Sequence, residues 1–346
     1  MNRYTTLLLG LVLLLAGCFP SSCRREEPTA LLPSDSLSRR VAATVPFDTL
    51  RLLWMASASE TLPLKRPRSV QLGPDGLLYV SDAERHFLAV LDTTGALRDT
   101  LRPAGVRYPY LAGFRGDTLV VLAPEARELV LVARSRVVQR LPLPDELPDR
   151  ALLYAAATPD GYFVKAVREG QGGVLVQLDR EGRVVRRQKL PEPYWRYAGF
   201  VRPQGEVLLS LAGFRPVIDR WWPDGRLDTL ALVGFDSPML ARSRAFLVGE
   251  VHEAPLLTSS AVPVDSLLFV LNLRPGWVQI DVYGLRDGRL RHRLIPPEQR
   301  LNRRFYPHDL AVACRDASCL LVVVLNDPEP RIVAYRWDRP GNSAAP

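Results

Sequence analysis

The sequence predicts an all-β fold in which a four-stranded antiparallel unit is repeated six times. Short apolar runs alternate with tight-turn dipeptides, the turns recur with a period of about 40–45 residues, and no segment shows sustained helical periodicity. Four strands in a period of that length are typical of a β-propeller, whereas β-helical solenoids have shorter periods. We therefore expect a six-bladed β-propeller over residues 46–338.

Two series of turns mark the repeat, because glycine and small polar residues accept the positive φ that a tight hairpin needs. The first hairpins are predicted to turn at Asp75–Gly76, Gly116–Asp117, Asp160–Gly161, Gln204–Gly205, Asp265–Ser266 and Asp316–Ala317. The second hairpins are predicted to turn about 20 residues later, at Thr94–Gly95, Arg134–Ser135, Glu181–Gly182, Asp224–Gly225 and Asp287–Gly288.

The sixth unit, from Leu310 to Trp337, has room for only three strands. The segment from Phe47 to Met55 precedes the first complete unit and has the apolar content of a strand. We expect it to supply the missing outer strand and to close the ring, which removes two exposed sheet edges.

The first unit carries a motif of a known family. From Pro67 to Gly95 the chain reads Pro-x-x-Val, then Pro-Asp-Gly-x-Leu-Tyr-Val-x-Asp, then Val-x-Asp-x-x-Gly. This unit resembles those of NHL-type and TolB-like six-bladed propellers, and the chain is similar to six-bladed propeller lipoproteins of bacterial envelopes. The later units keep the predicted turns but do not keep the other residues of the motif. The resemblance implies architecture and location, and it implies little about activity.

The N-terminus predicts export and lipid attachment. Arg3 precedes a nearly continuous Leu/Val run from Leu7 to Leu15, which is too short to span a bilayer at about 20 residues. The run ends in Leu-Ala-Gly before Cys18, which resembles a bacterial lipoprotein signal. The resemblance implies a signal peptide at 1–17 and acyl chains on Cys18 that hold the protein on a membrane. The alternative is a plain cleaved signal that happens to contain a cysteine.

The segments that flank the repeats are predicted to be flexible. Residues 18–45 are rich in Pro, Ser, Thr and charged residues, so we expect a tether that extends from the lipidated cysteine. Residues 339–346 are expected to form a disordered tail. Phe19 stands where some inner-membrane lipoproteins carry Asp, which favours the outer membrane of the cell envelope.

The net charge of +8 is carried almost entirely by arginine, since Lys65, Lys165 and Lys189 are the only lysines. A basic balance can indicate nucleic-acid binding, but these arginines are scattered at turns and strand edges. An exported protein also meets little nucleic acid. We therefore expect no nucleic-acid partner.

Four cysteines are present. Cys314 and Cys319 flank a predicted four-residue turn, which brings their thiols together in a hairpin, and export makes oxidation plausible. We expect a disulfide between them; the alternatives are free thiols or a metal pair, for which His308 is the nearest further ligand. Cys23 has no evident partner.

The loops that join second to third strands, and the connections between blades, converge on one face of a propeller. Aromatic residues and arginine on that face are the types enriched at binding hot spots. The predicted binding face contains Arg68, Arg85, Tyr108, Tyr110, Tyr194, Trp195, Arg196, Tyr197, Arg215, Trp277 and His308. The alternative for each residue is that the aromatic rings wedge between blades and the arginines are solvated.

An insertion separates the fourth and fifth units. The excess residues fall between Gly234 and Thr258 and contain Glu250, His252 and Glu253. These three suggest metal binding or acid–base chemistry, but one histidine beside two carboxylates is a weak signal and is more often found in a solvated strand or in a loop that covers a channel mouth.

Evidence for catalysis is sparse. The predicted inner-strand starts do not offer the carboxylate ring that a calcium-dependent lactonase needs, and there is no Gly-x-Ser-x-Gly sequence. His308 with Asp309 is the candidate acid–base pair, although adjacent strand residues point to opposite faces.

Three functions are therefore considered. The first is a non-catalytic, membrane-anchored scaffold that binds an envelope protein or peptide, works as a monomer and needs no cofactor. The second is a hydrolase or lyase, lactonase-like in class, that uses His308, Asp82 or His252 as base at the channel mouth. The third is capture of a small ligand or glycan by the aromatic residues between Tyr194 and Tyr197. We favour the first.

Overall fold

A computed structural model describes residues 35–190, 193–274, 276–297, 307–326 and 329–340. The signal peptide, Cys18 and Cys23 lie outside the described residues. Six antiparallel sheets surround a central channel, and each inner strand contacts the inner strands of the two neighbouring sheets. The inner strand of the sixth sheet contacts that of the first, so the ring is closed and the predicted six-bladed propeller is confirmed.

The first three blades are four-stranded meanders, numbered from the inner strand outward. Blade 1 contains β3 (Pro67–Leu72), β4 (Leu78–Asp82), β5 (Phe87–Leu91) and β6 (Leu97–Leu101). Blade 2 contains β7 (Tyr110–Arg115), β8 (Thr118–Ala123), β9 (Glu128–Ala133) and β10 (Arg136–Pro142). Blade 3 contains β11 (Leu152–Thr158), β12 (Gly161–Arg168), β13 (Gly172–Leu178) and β14 (Val184–Leu190).

Blade 4 is also a four-stranded meander, whereas blades 5 and 6 each receive a strand from the N-terminal segment. Blade 4 contains β15 (Val201–Gln204), β16 (Val207–Leu211), β17 (Val217–Trp221) and β18 (Leu227–Ala231). Blade 5 contains β19 (Thr258–Val264), β20 (Leu267–Arg274), β21 (Trp277–Gly284) and β22 (Leu290–Ile295), with β1 (Phe47–Thr49) added at its outer edge. Blade 6 contains β23 (Pro307–Arg315), β24 (Ser318–Leu325) and β25 (Arg331–Asp338), with β2 (Arg51–Ser57) as its outer strand.

The predicted ring closure is confirmed, but its detail differs. The expectation placed Phe47 to Met55 in one outer strand of blade 6. Instead β1 pairs parallel with β22 of blade 5, and β2 pairs antiparallel with β25 of blade 6. The chain changes blades at Leu50, whose side chain is buried between them and whose N–H donates to the carbonyl of Ile295 at 2.8 Å.

The flexible tether predicted for residues 18–45 is wrong for residues 35–44, which form a helix. Helix α1 (Asp35–Thr44) packs on the propeller, with Val41 and Ala42 buried. The Ser38 hydroxyl accepts the N–H of Gly234 at 3.2 Å. Composition alone missed this helix because its apolar stripe is short and is stabilised by packing against the blade 4–blade 5 junction.

Residues 35–57, which we call the N-terminal clasp, therefore contact four successive blades. Helix α1 lies against blades 4 and 5, β1 extends blade 5, and β2 completes blade 6. Trp54 of β2 donates its indole N–H to the carbonyl of Thr93 in blade 1 at 2.7 Å. A Cβ at Gly95 would lie 2.7 Å from the Trp54 ring, so this turn position requires glycine for space as well as for its positive φ.

The hydrophobic core is divided among the blade interfaces. Six clusters of buried side chains are found, and each joins two neighbouring blades. Burial of a Val, Leu or Phe side chain contributes about 1.5–3 kcal/mol, so the stability of the ring depends on contact between adjacent sheets.

A second short helix lies in the insertion between blades 4 and 5, which the sequence analysis singled out without assigning it a structure. This is helix α2 (Leu240–Leu247), which is followed by the fully buried Leu257. Neither α1 nor α2 has the length and apolar character needed to cross a membrane, and no other described helix does.

The last blade contains the cysteine pair and the start of the predicted tail. Cys314 lies opposite Cys319 in the β23–β24 hairpin, with Cα atoms 4.0 Å apart and an S–S distance of 2.10 Å. Arg339, assigned above to a disordered tail, donates its N–H to the carbonyl of Ala317, and its guanidinium contacts the sulfur of Cys319 at 3.3 Å. Residues 341–346 lie outside the described residues.

The N-terminal clasp allows a matched test of ring closure. Leu50 is 1% exposed and Leu53 is 42% exposed, although they lie three residues apart. Leu50→Ala should lower the free energy of unfolding by about 2–5 kcal/mol, since it leaves a cavity between blades 5 and 6. Leu53→Ala should change it by less than about 0.5 kcal/mol. Urea unfolding measures both, and equal losses would contradict this account of closure.

Candidate functional site

Polar side chains of the inner strands meet across the channel. Both carboxylate oxygens of Asp309 on β23 accept hydrogen bonds from Arg202 on β15 at 3.1 Å. Asp309 also accepts the backbone N–H of Val70 at 3.0 Å and the hydroxyl of Ser260 at 2.6 Å. These bonds join blades 1, 4, 5 and 6.

Aromatic rings extend this network to the two remaining blades. Arg202 donates to the Tyr110 hydroxyl of blade 2 at 2.9 Å, and the Tyr110 ring stacks on Phe200 with centroids 5.2 Å apart. Tyr154 of blade 3 meets Phe200 edge-on at 5.9 Å, and the Arg68 guanidinium lies 5.7 Å from the Tyr110 centroid. The channel is therefore crossed by a cation, a carboxylate and stacked rings, and we call this group the channel brace.

Burial and the contacts between its members together determine the charge states of the channel brace. Burial opposes the charge of Arg202, but its contacts with Tyr110 and Asp309 outweigh burial and raise the pKa of the guanidinium. Burial also raises the pKa of the Tyr110 phenol. Arg202 is thus a permanent cation whose charge is balanced by Asp309, with 11% of its side chain exposed.

A second buried polar cluster lies between blades 3 and 4. Lys165 of β12 is fully buried and donates to the Ser210 hydroxyl at 2.7 Å. Asp219 accepts the Thr229 hydroxyl at 3.0 Å and lies 3.4 Å from Arg215. Burial lowers the pKa of Lys165 to about 7, and the nearby Asp219 only partly offsets that effect.

The structure corrects three of the predicted binding residues. Tyr110, Tyr197 and Arg215 are 1%, 8% and 6% exposed, so their side chains are not available on a binding surface. Tyr110 belongs to the channel brace, and Arg215 donates to the carbonyl of Arg196 at 2.9 Å as well as pairing with Asp219. Residue type and sequence position predict that these residues lie on the binding face. Whether they are exposed depends on how adjacent blades pack.

Asp82, considered above as a catalytic base, is fully buried and has a structural role. One carboxylate oxygen accepts the N–H groups of Lys65 and Arg66, at 2.7 and 2.8 Å. The other accepts those of Glu84 and Arg85, at 3.0 and 2.7 Å. A carboxylate that accepts four backbone bonds holds two loops together and is poorly placed to accept a proton from a substrate.

His308 lies at the start of β23, where the channel opens on the face predicted to bind. Burial, Arg66 and Arg68 lower the pKa of its imidazole to about 4, so His308 is neutral at pH 7. Its neighbour Asp309 is committed to Arg202 in the channel brace. The suspected His308–Asp309 acid–base pair is therefore not formed.

Other predicted residues lie at the rim of the same face. Arg85 is exposed, and its backbone carbonyl accepts the Arg102 guanidinium at 3.2 Å. Tyr108 is 38% exposed, and its ring lies edge-on to His86 with centroids 4.9 Å apart. These contacts join the blade 1 loop to the connection that follows it.

A groove of about 610 Å³ lies on this face. The blade 3–blade 4 connection contributes Trp195 of the 3₁₀ helix Tyr194–Arg196, and α2 contributes Phe246, whose ring lies edge-on to Trp195 at 5.3 Å. Loops of blades 3 and 4 and the end of the insertion complete what we call the upper groove. Its remaining lining residues are Glu169, Pro193, Phe214, His252, Glu253 and Ala254.

The structure thus joins two features that the sequence singled out separately, Trp195 and the insertion. Arg196 follows Trp195 and is half-buried, and its carbonyl accepts Arg215. Tyr194 lies in the same 3₁₀ helix and Trp277 begins β21, and neither side chain is among those described.

Sequence reasoning missed Glu169, Phe246 and the buried Lys165. Lys165 carried a signal, because it stands inside an apolar strand of a chain that uses arginine almost everywhere else. Phe246 carried none, since its contact with Trp195 depends on how the insertion folds back.

No three His, Cys, Asp or Glu residues of the described part of the chain lie close enough to hold a metal ion. The alternative of metal binding at Glu250, His252 and Glu253 is therefore not supported by their placement. Of these three residues, His252 and Glu253 line the upper groove.

Comparisons with known proteins bear on the fold. The sequence matches no protein-family model and no curated protein. The structure is similar to a streptogramin B lyase, with a TM-score of 0.51 and 16% identity, covering 82% of this chain and 86% of that one. It is also similar to a catalytically inactive virginiamycin B lyase from Staphylococcus aureus solved with quinupristin, with a TM-score of 0.53, 12% identity and coverage of 82% and 88%. At these identities the likeness shows the six-bladed propeller fold alone.

The buried Lys165 should make stability depend on pH. Its pKa is about 7 in the folded protein against 10.5 ordinarily, so the unfolded chain binds more protons between those values and stability rises with pH. Between pH 7 and pH 9 this group should add about 2 kcal/mol to the free energy of unfolding. Lys165→Met should lose that increment, whereas the exposed Lys189→Met should keep it.

Urea unfolding of the wild-type protein and both variants at pH 7, 8 and 9 measures the difference in slope. An identical pH dependence in the wild type and Lys165→Met would show that Lys165 keeps its ordinary pKa.

Proposed function

We propose that this chain is a lipid-anchored, non-catalytic propeller that binds a protein or peptide partner through the upper groove. One observation carries the proposal. The groove is built from the blade 3–blade 4 connection, loops of both blades and the insertion with α2, and aromatic side chains from different segments meet there. Segments far apart in sequence that converge on one concave aromatic surface are typical of a recognition site.

The chemistry of the groove favours a partner segment with an apolar anchor and a basic side chain. Trp195, Phe214 and Phe246 supply broad and rigid apolar walls. Glu169 and Glu253 supply carboxylates in a chain whose net charge is +8. A lysine or arginine beside an apolar residue of the partner would pair with these carboxylates while the apolar residue contacts the rings.

The state of the channel supports binding over catalysis. The channel brace uses Arg202 and Asp309 to hold the ring together, and Asp82 holds loops. Arg202 and Asp309 are thus engaged with each other, and the Asp82 carboxylate is engaged with backbone N–H groups.

The membrane anchor is proposed from the sequence at Cys18. The covalent span from Cys18 to Asp35, where α1 begins, can reach at most about 60 Å, which limits how far the start of α1 can lie from the proposed lipid anchor. Cys18→Ser should abolish acyl labelling and release the protein from membranes, because the acyl chains supply the membrane affinity. Unchanged membrane retention of Cys18→Ser would reject the anchor and leave the binding proposal standing.

A hydrolase or lyase is the second candidate, and one observation favours it. His308 is a neutral imidazole at the channel mouth and can accept a proton. Burial, and then Arg66 and Arg68, oppose the imidazolium that would result, so the same surroundings that keep His308 neutral make it a weak base.

Trp195→Ala tests the binding proposal. Loss of an aromatic anchor should reduce capture of the specific partner from detergent-solubilised native membranes by about 30-fold or more. Tyr108→Ala is the matched control, because it removes a partly exposed aromatic ring from the same face at the blade 1–blade 2 connection, away from the upper groove. Quantitative mass spectrometry of both captures measures the difference.

A second variant covers the case in which Trp195→Ala perturbs the fold. Glu253 is exposed, so Glu253→Lys should leave the thermal melt unchanged and still weaken capture of a partner with a basic segment. A partner captured equally by the wild type, Trp195→Ala and Glu253→Lys would contradict the assignment to the upper groove.

A further inference from the structure

A second groove lies on the opposite face, where the turns between first and second strands emerge. It has a volume of about 440 Å³, within the range of about 300–1,000 Å³ usual for small-molecule sites. It opens between blades 3 and 4, and we call it the lower groove. Aromatic side chains of both blades line it, namely Phe163, Trp221 and Trp222.

The two tryptophans differ in how their N–H groups are used. Trp222 donates to Asp228 at 3.0 Å, and the Arg226 guanidinium lies 4.3 Å from its ring centroid, so this indole is held in place. Trp221 is 5% exposed, and its indole N–H has no acceptor in the described part of the chain. A buried donor without an acceptor is unfavourable, and an oxygen atom seated at the base of the groove would supply the missing acceptor.

Further polar side chains line the lower groove without protein partners. Gln177 and Gln188 each offer a half-buried amide, Arg186 an exposed guanidinium and Glu206 an exposed carboxylate, and none of the four has a hydrogen-bond or ion-pair partner among the described residues. The Arg186 guanidinium lies beside the turn of blade 4, where a Cβ at Gly225 would come within 3.2 Å of it.

The corresponding groove between blades 1 and 2 is different. There Tyr79 donates to Asp75 at 2.8 Å and Ser135 donates to Asp99 at 2.9 Å. These four polar groups satisfy one another, whereas the exposed Asp117 and Arg134 of the same groove have no hydrogen-bond or ion-pair partner among the described residues. The lower groove is therefore distinguished by the buried Trp221 N–H that lacks an acceptor, and no such buried donor of the described residues lines the groove between blades 1 and 2.

We propose that the lower groove binds a neutral saccharide. Its lining holds both donors and acceptors, and hydroxyl groups are both, so a sugar matches Gln177, Gln188, Arg186 and Glu206 together. Charges of both signs disfavour an anion or a cation as ligand. The flat apolar face of a sugar ring suits the fixed indole of Trp222. This site is separate from the upper groove and does not depend on the proposed function.

A printed array of neutral oligosaccharides containing glucose, galactose, mannose and N-acetylglucosamine is the first test, with a proline-rich peptide as the competing probe. Tryptophan-fluorescence titration with the best saccharide then gives dissociation constants for the full chain and its variants. Trp222→Ala should weaken binding roughly tenfold. Trp221→Phe keeps the ring and removes the N–H, and it should weaken binding roughly two- to tenfold.

Tyr79→Phe is the control, because it makes an equally small change in the groove between blades 1 and 2 and should leave saccharide binding unchanged. The proposal is overturned if no saccharide of the array binds the wild-type protein or if the peptide alone binds. It is also overturned if binding survives in both tryptophan variants while their thermal melts match that of the wild type.

Discussion

The Arg202–Asp309 ion pair crosses the channel, and the arrangement of the propeller depends on it. Two opposite charges withdrawn from water are tolerated only when their bonds are well satisfied, and Asp309 accepts bonds from Arg202, Ser260 and Val70. The Tyr110 hydroxyl and the Phe200 ring also contact the Arg202 guanidinium. A ring of six separate sheets thereby acquires a common centre, in addition to the six apolar interfaces between its blades.

The N-terminal clasp joins neighbouring blades at the outer edge of the ring. Phe47–Thr49 and Arg51–Ser57 add strands to two different blades, and Trp54 reaches a third. The ring is therefore fastened at the centre by charge and at the rim by strand pairing. Both grooves proposed as binding sites lie away from this occupied centre, between blades 3 and 4.

Much of the fold was predictable from the sequence because its signals are local. An Asp–Gly pair such as Asp75–Gly76 specifies a turn by its own backbone preferences, and each predicted turn joins two strands of one blade. Helix α1 was not predictable from composition, since a helix of ten residues is stabilised mainly by what it packs against. Leu50 is another such case, because the change of blade there depends on contacts with both sheets.

The candidate site was predictable only in part. Trp195 was identified from residue type, and the structure places it in the upper groove. Tyr110 and Arg215 also belong to residue types that are enriched at binding hot spots, but their side chains are buried. The packing of each blade against its neighbour determines which of these side chains reach the surface. Residue type therefore indicates which side chains can bind a partner, and tertiary packing determines which of them are exposed.

A double-mutant cycle on Arg202→Met and Asp309→Asn tests the channel brace most directly. Urea unfolding of the four proteins measures the coupling free energy. Arg202→Met should cost about 3–5 kcal/mol because it leaves a buried carboxylate unpaired, and the double variant should be clearly more stable than the sum of the single losses implies. Additive losses, or single losses below about 0.5 kcal/mol, would contradict the central role given to this ion pair.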